Sequence, residues 1–141
     1  MQQKGELISF RPDIKVVDCT IRDGGLVNNF YFDDEFVKDL YKTNAAAGVD
    51  YMEFGYKASK DLFDVNEFGK WKFCDEQDIR DIVGDNDTDM KISVMADVGR
   101  TDYKKDIIPK KDSVIDMIRI ATYVNTCLLY TSPSPRDRSL S

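Results

Sequence analysis

Histidine is absent from all 141 residues of the chain. That removes Ser–His and Cys–His nucleophile pairs, imidazole general bases and histidine-containing zinc sites. Cysteine is scarce. Cys19, Cys74 and Cys127 are odd in number and widely spaced, which suggests reduced thiols rather than a disulfide framework, and an all-thiolate zinc site needs a fourth. No apolar run approaches the ~18 residues of a membrane span. The opening MQQKGELISFRPDIK holds no apolar signal core, so a cytoplasmic location is expected. Positive charge is also short: 20 Lys and Arg against 26 Asp and Glu leave a net −6. Neither nucleic acid nor an anionic membrane is therefore expected as a partner. Neither GxGxxG nor GxxxxGK[ST] occurs, which counts against a doubly wound phosphate-binding domain.

What remains can support chemistry on carboxylates, Arg, Lys, Tyr, Cys or a metal held by oxygen. The hydrophobic share of 42% and charged share of 33% are ordinary for a globular domain. The length suits one domain with a real core. Lys15–Cys19 reads as a short buried strand closed by a turn at Thr20–Gly25. Asp33–Ala47 carries apolar residues at helical spacing, with acids in its first turn and Gly48 at its stop. Tyr51–Gly55 is a second strand, followed by a long loop through Lys57–Lys72 in which Trp71 and Phe73 are packing residues. Asp75–Val83 reads as a helix and Lys91–Ala96 as a third strand. Thr101–Lys111 suggests a short helix broken by Pro109, and Ser113–Ala121 a fourth strand. Strand and helix alternating in this way predict βαβ units and a parallel sheet. Open doubly wound sheets and barrels both satisfy the pattern.

Cys127–Ser141, CLLYTSPSPRDRSLS, has two Ser-Pro steps and no periodicity beyond its start. Its composition predicts disorder. It also resembles the translation of a sequencing-adapter read-through, which would make 127–141 an artefactual tail and 1–126 a partial domain of a longer parent.

In parallel α/β folds ligands sit at the carboxyl ends of the strands. DCTIRDGG, residues 18–25, delivers Arg22 and Asp23 there, and YMEFGY delivers Glu53, with Tyr56 and Lys57 just beyond. Adjacent strands lie about 4.8 Å apart, so these side chains could converge. A hard cation such as Mg²⁺ or Mn²⁺ would take Asp23 as a ligand. Arg22 cannot deprotonate and is suited to an oxygen that gains negative charge. Glu53 would be held by Arg22 or would orient metal-bound water. Gly24 and Gly25 would let the backbone turn sharply.

These two motifs, with Asn28-Asn29 after the first, resemble the metal-dependent aldolase and lyase superfamily named for its Asp-Arg-Glu motif. Its members include hydroxymethylglutaryl-CoA lyase and 4-hydroxy-2-oxovalerate aldolase. The similarity runs from about Ile14 to Ala121. The resemblance implies the first half of a (β/α)₈ TIM barrel, about four parallel strands with helices, truncated from a fold of about 250 residues. It also implies a divalent metal, Mn²⁺ or Mg²⁺, bound by Asp23, with Arg22 and Glu53 as catalytic residues. The implied reaction makes or breaks a carbon–carbon bond through the enolate of a 2-oxo acid, in a homodimeric parent. Two departures stand out. The superfamily's late-strand His-x-His is missing, and Leu26 stands where aldolase members carry a basic histidine, so no general base is assigned. The chain alone is thus expected to be inactive.

Blander readings stand beside these. An Arg-Asp pair at a strand end is commonly a local ion pair with turn chemistry. Glu53 alone would be a solvated strand-end acid, Asp18 a turn cap, Asp97 a loop acid and Cys19 a small strand residue. Arg119, inside an apolar strand, must pair inward or lie at the barrel mouth. The DNDTD run lacks the Gly and Glu of a calcium loop. The rival function is a non-catalytic half-barrel interaction or oligomerisation module.

Overall fold

The computed structural model of the chain describes residues 11–123; the tail at 127–141 lies outside them. Strands β1 (Val17–Asp18), β2 (Tyr51–Tyr56), β3 (Lys91–Asp97) and β4 (Met117–Ala121) form one parallel sheet in the order β1-β2-β3-β4. Helices α1 (Thr20–Asn28) and α2 (Asp34–Ala47) follow β1, α3 (Glu76–Val83) follows β2, and α4 (Tyr103–Asp106), a single turn, follows β3. Parallel strands alternating with helices in an open sheet make a half TIM-barrel-like fold.

The helices form where capping and periodicity agree. Asp33 caps α2 by accepting from the Glu35 amide, and Gly48 closes it in the left-handed conformation at φ 80°. Val37 and Tyr41 of α2 and Ile79, Ile82 and Val83 of α3 are buried. They join one core with Met52, Phe54, Ile92 and Val94, which alternate along β2 and β3 and so share one face of the sheet. Trp71 and Phe73 are buried, as expected of packing residues, and the loop holding them carries a single 3₁₀ turn at Lys70–Lys72.

Three expectations need correction. The first strand shrinks to Val17–Asp18, and the segment read as a turn at Thr20–Gly25 is the body of α1. The Asp23 amide donates to the Cys19 carbonyl at 2.8 Å, so the helix starts where the strand stops. Asp18 does more than cap a turn. It accepts from the Thr20 hydroxyl at 2.6 Å and from the Asn44 amide at 2.9 Å, tying the strand end to α2. The fourth strand begins at Met117 rather than Ser113. The Glu76 carboxylate on α3 takes the Ser113 hydroxyl and the Val114 amide, drawing those residues away from the sheet.

Gly24 and Gly25 therefore serve packing, not a sharp turn. A glycine inside a helix costs about 1 kcal/mol relative to alanine. The Phe30 ring occupies the space over Gly25, where an added Cβ would lie 2.0 Å from a ring carbon. Gly55 has a similar role in β2, where a Cβ would meet the Trp71 carbonyl at 1.9 Å beside an irregularity in the strand register. Replacing Gly25 with alanine should therefore destabilise the chain by about 1–3 kcal/mol, despite alanine's better helix propensity. Urea unfolding measures this, and a neutral or stabilised G25A would contradict the packing.

Candidate active site

β1 is so short that α1 begins level with the middle of β2. Asp18 pairs with Met52 in register, so Cys19 stands opposite Glu53. Glu53 pairs with Ser93, and Met95, two residues further along β3, pairs with Arg119 of β4. Period-two alternation puts Glu53, Ser93 and Arg119 on the face opposite Met52 and Ile92.

Glu53 is thus mid-strand, not at the strand end as the sequence suggested, and it is fully buried. Arg119 grips it with a two-point fork, Nε to Oε2 at 2.7 Å and Nη2 to Oε1 at 2.6 Å. Arg22 donates from Nε to Oε1 at 2.9 Å, and the Ser93 hydroxyl lies 3.1 Å from Oε2. The Cys19 Sγ stands 3.7 Å from Glu53 Oε1 and 3.7 Å from Arg119 Nη2. Arg22 also pairs through Nη1 with Asp23 at 2.5 Å. The Asp23 side chain is 63% exposed, against 15% for Arg22.

The electrostatics follow from this arrangement. Burial pushes the Glu53 carboxyl up, but hydrogen bonds from Arg119 and Arg22 outweigh it and hold the group below the usual glutamate range. Burial works against the Arg22 charge, yet contacts with Cys19, Tyr56 and Glu53, and the Asp23 charge, raise its pKa above the ordinary arginine value. Arg119 is raised chiefly by its hydrogen bonds to Glu53.

Arg22, Asp23 and Glu53 are therefore contiguous, with Arg22 between the two acids. Arg119 resolves to the inward pair. Ser93 was not singled out by sequence reasoning, although a lone hydroxyl in the apolar run KISVMA at strand period was a readable signal. Other candidates fall away from the cluster. Lys57 turns back to donate to the Cys74 carbonyl at 2.7 Å, and Asp97, the last residue of β3, faces Arg100 at 3.9 Å. Leu26 is exposed on α1. Cys19 and Cys74 are free thiols, and Cys127 lies outside the described residues.

The donor set suits a divalent cation at one point only. Asp23 is placed to offer a carboxylate oxygen, whereas Glu53 is committed to its arginines. Among the described residues no three acidic or thiol side chains gather into a metal-binding group. Nor is any helix among them long and apolar enough to cross a membrane.

No protein-family model matches the chain, and no curated protein does. The fold is similar to a solved structure, the N-terminal domain of a Bacteroides vulgatus protein provisionally named an aldolase. The TM-score is 0.60 and the sequence identity 28%, over 76% of this chain and 35% of that one. The chain thus spans about a third of the length of the protein it resembles.

Because the folded pKa of Glu53 is depressed, its contribution to stability is present above the unfolded value of about 4.3 and lost as pH falls through the lower folded value. Urea unfolding should show that acid limb in the native chain. E53Q should flatten it and lower stability at neutral pH by about 3–5 kcal/mol, by leaving Arg119 without its counter-charge and Arg22 with exposed Asp23 alone. Unchanged neutral-pH stability in E53Q would contradict this account.

Proposed function

We propose that this chain supplies the charge-stabilising part of an aldolase- or lyase-type active site that handles the enolate of a 2-oxo acid. The observation that carries the reading is the two-arginine clasp on buried Glu53, which leaves both guanidiniums fixed on one face of the sheet. A guanidinium has five N–H donors, and Glu53 engages only two nitrogens of Arg119 and one of Arg22. Donor capacity remains for an oxygen that becomes negative as a carbon–carbon bond breaks or forms. Glu53 is a positioning residue in this reading: ionised and committed, it holds the cations still rather than moving protons. Arg22 shares its charge between Glu53 and exposed Asp23, so whatever draws Asp23 away leaves the pocket more positive.

Asp23 would give one oxygen to a Mn²⁺ or Mg²⁺ ion whose other ligands come from outside the described residues, and the bound ion would supply Lewis-acid polarisation of a carbonyl. The similarity to an aldolase N-terminal domain supports the reaction class. Oxalate, a planar dianion that mimics the enolate of pyruvate, is a suitable probe. Calorimetric titration should show oxalate binding that weakens by about ten-fold or more in R22M, equal to about 1.4 kcal/mol. D23N should remove any enhancement by Mn²⁺ without abolishing metal-free binding. Equal affinity in R22M and the native chain would defeat the reading.

One observation favours the rival association module. β4 is an edge of the sheet among the described residues, and its Ile120 is 62% exposed. Such an edge is a template for pairing. Sedimentation equilibrium should then give a dimer or larger assembly that I120K returns to monomer; a monomeric native chain rules the module out.

A further inference from the structure

Lys60, Lys70 and Lys105 each meet a carboxylate at ion-pair distance. Lys72 sets its ammonium among the rings of Phe30, Tyr56, Phe63 and Phe68, 4.3–5.2 Å from their centroids. Lys57 has neither kind of partner. It follows directly on β2 and is only 5% exposed. Its Nζ donates to the Cys74 carbonyl at 2.7 Å, and among the described residues no carboxylate stands at ion-pair distance from it. An ammonium has three donors, so one carbonyl leaves two N–H groups and the charge itself without compensation. Buried charges are seldom left in that state.

The carbonyl partner puts this charge at a particular point. Cys74 stands just before Asp75, the residue that opens α3. Asp75 makes no side-chain hydrogen bond to the helix amides, because its carboxylate turns to Lys60 at 2.5 Å. The first-turn N–H groups, which have no acceptor inside the helix, therefore lack that cap. The positive end of the helix dipole and the Lys57 ammonium meet at one place.

Lys57, Asp75 and Glu76 line a cavity of about 260 Å³ there, with Phe73, Asp106 and Ile108. The acids of its wall are already engaged. Glu76 accepts from the Ser113 hydroxyl at 2.5 Å and the Val114 amide at 3.0 Å, and Asp106 accepts from the Asp102 amide at 2.8 Å. The cavity lies beyond the carboxyl end of β2, the side of a parallel sheet at which ligands bind.

We propose that this cavity binds the carboxylate of a small organic acid, held between Lys57 Nζ and the first amides of α3. Such an anion supplies both missing partners, a counter-charge for the ammonium and an acceptor for the helix N–H groups. A carboxylate suits the site better than a phosphate dianion, because Asp75, Glu76 and Asp106 would repel a second negative charge. The volume falls below the ~300–1,000 Å³ of drug-sized pockets, so the ligand has few non-hydrogen atoms. Phe73 and Ile108 offer a short alkyl chain an apolar wall. The site uses no residue of the Glu53 clasp and its reporters lie on α3, so it and the enolate reading stand or fall separately.

The test is a titration of the whole chain with propionate at constant ionic strength, followed by proton–nitrogen NMR. The Glu76, Gln77 and Asp78 amides should shift and saturate. K57M keeps the bulk of the stem and removes the charge, and it should weaken the titration by about ten-fold or more. I108W fills the cavity while leaving Lys57 in place, and it should weaken binding as well. Inorganic phosphate should bind the native chain more weakly than propionate does. Shifts that do not saturate, an affinity unchanged in K57M or I108W, or tighter binding of phosphate would overturn the proposal.

Discussion

The Glu53 carboxylate is fully withdrawn from water, and the rest of the described structure is arranged around that fact. Desolvating an ion costs several kcal/mol, and the cost is met only by close, well-directed counter-charges. The counter-charges come from α1 through Arg22 and from β4 through Arg119, and β3 adds a hydrogen bond from the neutral Ser93 hydroxyl. One side chain thus fastens four segments of backbone. The apolar core on the opposite face supplies bulk cohesion, with Met52, Phe54, Ile92 and Val94 fully buried. The ionic clasp instead fixes register, because slipping β4 by one residue would turn Arg119 to the other face.

The same clasp links architecture to chemistry. A guanidinium on a free side chain spends entropy to find its ligand, whereas one held by a carboxylate is already oriented. Asp23 remains largely in solvent and is the exposed member of the group. The aromatic cage around Lys72 follows a parallel logic with opposite materials. Rings in place of a carboxylate hold a cation without neutralising it, while burial and the Arg100 charge lower its pKa against the opposing charge of Asp97. The sheet therefore carries two kinds of held cation, arginines paired with a buried acid and a lysine set among rings.

Much of the fold was legible because strand and helix periods are local properties. The runs at 51–56 and 91–97 and the capped helix at 34–47 announce themselves through alternation, acids in the first turn and a terminal glycine. The DGG segment misled for a definite reason: glycine pairs signal turns, and the Phe30 ring that fits over Gly25 sits five residues further along. At the site, Arg22, Asp23 and Glu53 could be picked out by spacing, although Glu53 was expected at a strand end. The partnership with Arg119 was not fixed, since it depends on register across β3. Lys72 carried no signal at all. It lies in a segment without periodicity, and its rings come from residues 30, 56, 63 and 68, brought together only by tertiary packing.

Glu53 and Arg119 are 66 residues apart, and Cys19 and Arg119 are 100 apart. A chain emerging from the ribosome makes β2 long before β4 exists. Until Met117–Ala121 is released, the acid has Arg22 and Ser93 but not its stronger fork, and it stays hydrated. β2 therefore cannot bury its acid with the full set of partners until β4 has been made. Docking of β4 on the sheet is a long-range pairing, slow in the way that distant pairings are slow. Such a nascent chain has reason to need shelter from neighbours until its fourth strand arrives.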